Sequence, residues 1–204
     1  MSLLTALLLS LSLAQDKPNI RVEYDEVRDV KEWAEKARDL CEKWYPIIAD
    51  ALASKDFKPP QEVTLVFKDE EKGIAWTTGA KITIVADWIR KHPDDFGMVI
   101  HELTHVIQYY RGGVGWLTEG IADYIRYFKY EPKPTPPKIK AKASYKDGYK
   151  TSATFLAWLE KTKDQSIIVK LNVRLRNGKY KEEEFKEWTG SDLDTLWKEF
   201  IAAQ

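Results

Sequence analysis

The chain has a single cysteine, Cys41, so no intramolecular disulfide can form and the fold must rest on its hydrophobic core. Neither sign of charge is in excess, with 32 Lys and Arg against 32 Asp and Glu. A neutral chain has no whole-molecule attraction for nucleic acid or an anionic membrane, and neither is expected as a partner. A membrane-spanning run is also missing, because the apolar stretch at Met1–Ala14 is too short to cross a bilayer as a helix. Internal repeats, low-complexity tracts and a second-domain boundary are absent, and 204 residues suffice for one domain with a substantial core.

The run Met1–Ala14 is uncharged, rich in Leu and closes in small residues, with Ser12 and Ala14 ahead of a cut before Gln15. That is the shape of a signal peptide. We therefore expect residues 15–204 to form one mature domain, secreted or periplasmic, monomeric and free of the membrane after cleavage. Cys41 shares an apolar helical face with Val30, Trp33, Ala37, Trp44 and Ile48. Nothing on that face would stabilise a thiolate, so it reads as a small core residue and not as a nucleophile.

Residues 19–25 alternate as a short strand, and 27–53 have helical periodicity that Pro46 should break into two helices. Pro59-Pro60 stops them, and 63–67 reads as a buried strand. Residues 73–78 and 81–86 form a hairpin around Gly79. From Pro93 the pattern turns helical until Arg111-Gly112-Gly113, with Asp94 and Asp95 complementing the helix N-terminus. His92, before that start, reads as a surface turn residue. A second helix covers 116–130, a Pro-rich loop 131–137, and helices return near 149–161, 165–176, 181–188 and 192–203. Strands first and helices afterwards predict an α+β fold, in which a small N-terminal mixed sheet and an active-site helix precede a mainly helical C-terminal part.

His101-Glu102-Leu103-Thr104-His105 lies inside one of these helical segments. Two His four apart differ by about 40° around a helix and by roughly 6 Å along it, so both imidazoles can meet one tetrahedral ion. Glu102 sits on the adjoining flank. Its carboxylate can reach a water beside the ion without becoming a ligand, the position a general base needs.

A catalytic zinc takes three protein ligands and keeps one position open. The helix that begins after the glycine-rich reversal supplies Glu119, and Asp123 four residues on shares its face. Glu119 can bind the metal while Asp123 accepts the outer N–H of a ligand histidine. Another class of zinc peptidases takes its third ligand six residues past the second His, after a glycine three residues past it. Here those positions are Arg111 and Gln108, which do not fit.

These segments resemble the plant basic secretory protein family, whose members also occur in bacteria and look like gluzincin peptidases. The resemblance runs through Gly73–Gly79, His101–Gln108, Glu119–Tyr124, Asp147–Tyr149 with Phe155-Leu156, and Leu171-Asn172 through Leu196-Trp197. It implies a zincin-like fold, one zinc ion on His101, His105 and Glu119, Glu102 polarising the water, and Asp123 as the carboxylate behind a ligand. The chain departs from the family's name in being neutral overall, although 133–150 carry six Lys against one Asp. That stretch reads first as a solvated loop and second as a guide for anionic substrates.

The expected activity is hydrolysis of peptide bonds in a peptide or protein substrate. An extended substrate would align along the 73–86 hairpin by main-chain pairing. The oxyanion needs a donor, for which Tyr149 is the best-placed residue, with Tyr145 and Tyr124 competing. Two other readings stand beside this one. The first is a zinc-bearing protein that binds a cell-surface glycan or peptide through its aromatic residues without cutting. The second is a structural domain in which the motif occurs by chance.

Overall fold

The computed structural model describes residues 18–55, 57–70, 72–131, 138–140 and 142–204. The leader read at 1–14 and most of the Pro-rich loop lie outside the described residues. Strand β1 (Asn19–Glu23) leads into helix α1 (Lys31–Ala51), which returns to β2 (Glu62–Lys68). The hairpin β3 (Ala75–Thr78) and β4 (Lys81–Val85) follows, then α2 (Ala86–Lys91), α3 (Gly97–Gln108) and α4 (Gly115–Tyr124). The C-terminal part is α5 (Tyr149–Thr162), α6 (Ile167–Arg176), α7 (Glu184–Thr189) and α8 (Leu193–Ala202). This is an α+β architecture with a small mixed sheet and a mainly helical second half. Among the described residues no helix is long and apolar enough to cross a membrane.

The sheet order is β1-β2-β4-β3. β1 and β4 both run parallel to β2, and β3 alone is antiparallel, paired through the turn at Gly79. The helix between the first two strands is where the sequence places it, but β1-α1-β2 is a parallel crossover, one βαβ unit within a fold expected to have none. Apolar residues at every second position of β2 bury Val63, Leu65 and Phe67 beside Ile82 and Ile84 of β4. This leaves β3 as a free edge that packs on α3.

Helix α1 is a single helix, and Pro46 lies inside it. The expected break does not occur because Trp33, Ala37, Cys41, Tyr45 and Ile48 bury one continuous stripe while Pro46 lies on the exposed face. On that face water can compensate the ladder bond that proline cannot make. Cys41 is fully buried, and burial pushes its thiol far above the usual range.

Pro93 does not start α3. Its carbonyl accepts from Trp33 Nε1 at 2.8 Å, and the helix begins at Gly97, with Phe96 stacked on Trp33 at 4.5 Å between ring centroids. Asp95 does serve the N-terminus, accepting from the Met98 amide at 3.3 Å, and it also accepts from Arg126 at 2.6 Å. Helix α4 continues into a π-helical turn over Ile125–Tyr130, closed by the Glu131 amide donating to the Arg126 carbonyl at 2.8 Å. The wider turn was not legible in the sequence and re-aims the side chains that follow Tyr124.

Glycine at position 120 is demanded by packing. A Cβ there would stand 2.7 Å from the Ser152 Cβ, so α5 approaches the backbone of α4 directly beside Glu119. That close crossing brings the start of α5, with Tyr149, over the first half of α4.

Candidate metal centre and cleft

Three side chains from two helices converge. Nε2 of His101 and Nε2 of His105 are 3.0 Å apart, and Glu119 Oε2 lies 3.1 Å from the first and 3.5 Å from the second. Four-residue spacing on α3 aligns the two imidazoles, and the reversal before α4 carries Glu119 across to them. Ligands at about 2.0–2.1 Å from a tetrahedral ion are separated by about 3.3–3.4 Å, so this triangle has the edge lengths of one face of a zinc site.

The hydrogen bonds behind the triangle decide which atoms face the centre. Asp123 Oδ1 lies 2.6 Å from His101 Nδ1, and an ionised carboxylate can only accept, so Nδ1 carries the proton. Gln108 Nε2 donates to the Thr118 carbonyl at 2.9 Å, which turns its Oε1 toward His105 Nδ1 at 2.8 Å. That nitrogen must also be the N–H. Both Nε2 atoms then present lone pairs, as does Glu119, and three acceptors within 4.8 Å of one another need a cation between them. The donor set of two imidazoles and one carboxylate fits zinc.

Without a metal, a proton is the available cation. Burial opposes a charge on His101, yet its bonds to Asp123 and Glu119 outweigh this and raise its pKa to about 9. Burial likewise opposes the charge on Glu119, but His101 and His105 hold its carboxyl down at about 2. A folded pKa raised from 6.5 means that protonated His101 contributes stability to the metal-free protein below about pH 6.5, and that this is lost as pH rises through about 9. The same proton must leave when metal binds. Apparent zinc affinity is therefore expected to weaken by about tenfold per unit as pH falls from about 8 to about 6, measured by chelator competition. A flat profile would refute the proton displacement.

Glu102 is buried beside the triangle but is not part of it. Its Oε2 accepts from the Thr77 hydroxyl at 2.7 Å. Thr77 is on the edge strand β3, so the carboxylate is steered from outside its own helix. Sequence reasoning did not find Thr77, nor Gln108, whose spacing three residues past His105 was a signal for a side chain on the same face.

The site forms the floor of a cleft of about 1100 Å³, lined along α3 from Met98 to Gln108 and walled by β3, the π-helical turn and the start of α5. That volume exceeds the usual range for a small-molecule pocket and gives room for a stretch of peptide. Of the three tyrosines considered from sequence, Tyr124 gives its hydroxyl to Glu160 at 2.5 Å and Tyr145 gives its to Asp194 at 3.3 Å, both away from the cleft. Tyr149 lines the cleft, 58% exposed, with its ring 6.2 Å from that of His101 and nearly parallel to it. The negative charge of Glu119, and then partial burial, raise its phenol above the ordinary tyrosine value, so the hydroxyl keeps its proton. Among the lysines of 133–150 that are described, Lys150 lines the cleft, 4.5 Å above the ring of Tyr127, while Lys146 pairs with Glu182. His92 is exposed and stacks on Trp88 at 3.8 Å, on the turn expected for it.

No curated protein and no solved structure matches the chain. A family model does, under the description "Peptidase of plants and bacteria", over residues 26–200, which includes every residue of the site just described. The match agrees with the resemblance carried by the sequence motifs and covers most of the length. The chain belongs to the family of peptidases of plants and bacteria.

Proposed function

We propose that the protein is a zinc-dependent peptidase with a zincin-like fold, its metal held by His101, His105 and Glu119, and Glu102 its general base. The observation that carries this reading is the convergence of three candidate ligand atoms at tetrahedral spacing beside a separately held buried carboxylate. When bound, zinc supplies a Lewis acid that polarises a carbonyl and acidifies water. Asp123 and Gln108 keep the two imidazoles in the tautomer that can hold the ion. Thr77 aims the Glu102 carboxylate, which takes the proton of the attacking water and passes it to the leaving amine. Tyr149 keeps its hydroxyl proton at the cleft wall and donates to the developing oxyanion. The free edge of β3 aligns the extended substrate by main-chain pairing. A protein that merely retained zinc and bound peptides would have no use for a buried, oriented carboxylate at Glu102. The same proposal has the peptidase acting after export, supported by the leader-like composition of Met1–Ala14.

Hydrolysis of an unfolded protein by the purified mature chain tests the metal requirement. Chelation is expected to abolish hydrolysis and one equivalent of zinc to restore it, while Glu119→Gln retains metal at least about tenfold more weakly. Hydrolysis that survives complete removal of metal would sink the proposal.

A further inference from the structure

Two residues other than glycine adopt positive φ among the described residues, Tyr109 at 45° and Tyr149 at 47°. An L side chain pays for that conformation with a clash against its own backbone, so glycine or asparagine is the usual occupant at a helix end. Both strained positions carry a large aromatic ring, both rings are about half exposed, and both line the metal cleft. Tyr109 closes α3, its amide donating to the His105 carbonyl at 3.3 Å. Its ring leans on Phe57, with centroids 6.2 Å apart, and Phe57 in turn sits over the Arg176 guanidinium at 3.9 Å. The ring is thus propped upright instead of folding into the core. Ile74, just before β3, and Trp76 within it are also exposed, and they line the same cleft. An exposed apolar rim around a reactive centre, bought with backbone strain at two places, calls for an occupant that repays it.

We infer that Tyr109 is a specificity residue that grips a large apolar side chain of the substrate peptide at the end of the cleft formed by the C-terminus of α3. The inference deepens the peptidase reading and rests on it. The occupant is a side chain of an extended peptide because the rim is continuous with the metal ligands and the free edge of β3. Its chemistry is aliphatic or aromatic because the ring faces of Tyr109 and Tyr149, with Ile74 and Trp76, offer contact area at little cost in side-chain entropy. A residue that served only to end the helix would do so with less strain as glycine, yet this position holds a tyrosine.

The test digests a random peptide library with wild type, Tyr109→Gly, Tyr109→Phe and Glu102→Gln, and follows thermal unfolding of each. Wild type is expected to cleave preferentially beside Leu, Phe, Tyr and Met. Tyr109→Gly should lose about tenfold of that preference at one subsite while its unfolding midpoint rises by about 2–4 °C as the strain is relieved. Tyr109→Phe should keep both preference and midpoint, since the ring and not the hydroxyl makes the contact. A Tyr109→Gly variant with wild-type preference, or a wild type with no apolar preference but Glu102-dependent cleavage, overturns this inference alone. Equal cleavage by wild type and Glu102→Gln overturns the peptidase reading beneath it.

Discussion

Replacing Glu102 by glutamine is expected to lower kcat by about 10²–10⁴-fold, the range a positioned proton-transfer group contributes. The amide is nearly the same shape, and its oxygen can still accept from the Thr77 hydroxyl, which now meets Oε2 at 2.7 Å. What disappears is the basicity. Because Glu102 is not one of the three converging atoms, the variant should bind zinc as wild type does. It should fold at least as stably, since a buried carboxylate has been exchanged for a neutral group. The paired readout is therefore steady-state hydrolysis of unfolded protein with metal content on the same sample. Activity within about tenfold of wild type, at full metal occupancy, would remove Glu102 from the role of base.

Arg176→Met is expected to cost about 3–5 kcal/mol in stability without touching a ligand. Arg176 is 6% exposed, and among the described residues no carboxylate pairs with it. Instead Nε donates to the Gln108 carbonyl at 3.1 Å, one terminal nitrogen to the Ile107 carbonyl at 2.9 Å, and the other to the Leu52 carbonyl at 2.9 Å and the Ser54 hydroxyl. One planar fork thus satisfies the last carbonyls of α3 and the end of α1 at once. Burial alone lowers its pKa, which states the desolvation that these four acceptors must offset. Methionine fills the volume but takes the donor from the Ile107 and Gln108 carbonyls, while Leu52 and Ser54 keep the Asn172 amide, and each buried acceptor so stranded costs about 1–3 kcal/mol. Urea unfolding monitored by tryptophan fluorescence measures the loss. A decrease below about 1 kcal/mol would show that water replaces the fork without penalty.

The parts of the site that sequence made legible are those that local periodicity specifies. His101, Glu102 and His105 sit within two turns of one helix, and Glu119 with Asp123 repeats the four-residue spacing on the next. Thr77 could not be read in the same way, because it meets Glu102 across 25 positions and two element types. The choice among Tyr124, Tyr145 and Tyr149 depended on where each hydroxyl points, which packing and not pattern decides. Pro46 misled for the opposite reason. Its local penalty was real, but the stripe from Trp33 to Ile48 buries enough apolar surface to override it. Tyr109 was hidden by its neighbours. Gly112 and Gly113 advertised the helix stop three residues late, while the left-handed residue that ends α3 is a tyrosine.

The fork of Arg176 also sets a schedule. His101, His105 and Glu119 leave the ribosome well before α6, and the carbonyl of Gln108 waits 68 residues for the donor that caps it. At about 5–20 residues per second, that wait is roughly 3–14 seconds during which the end of α3 has only water for its last carbonyls. A nascent chain therefore carries His101, His105 and Glu119 before it carries the guanidinium that caps α3. The end of the helix that carries His101 and His105 is completed by a residue of the C-terminal half, long after the motif itself has been made.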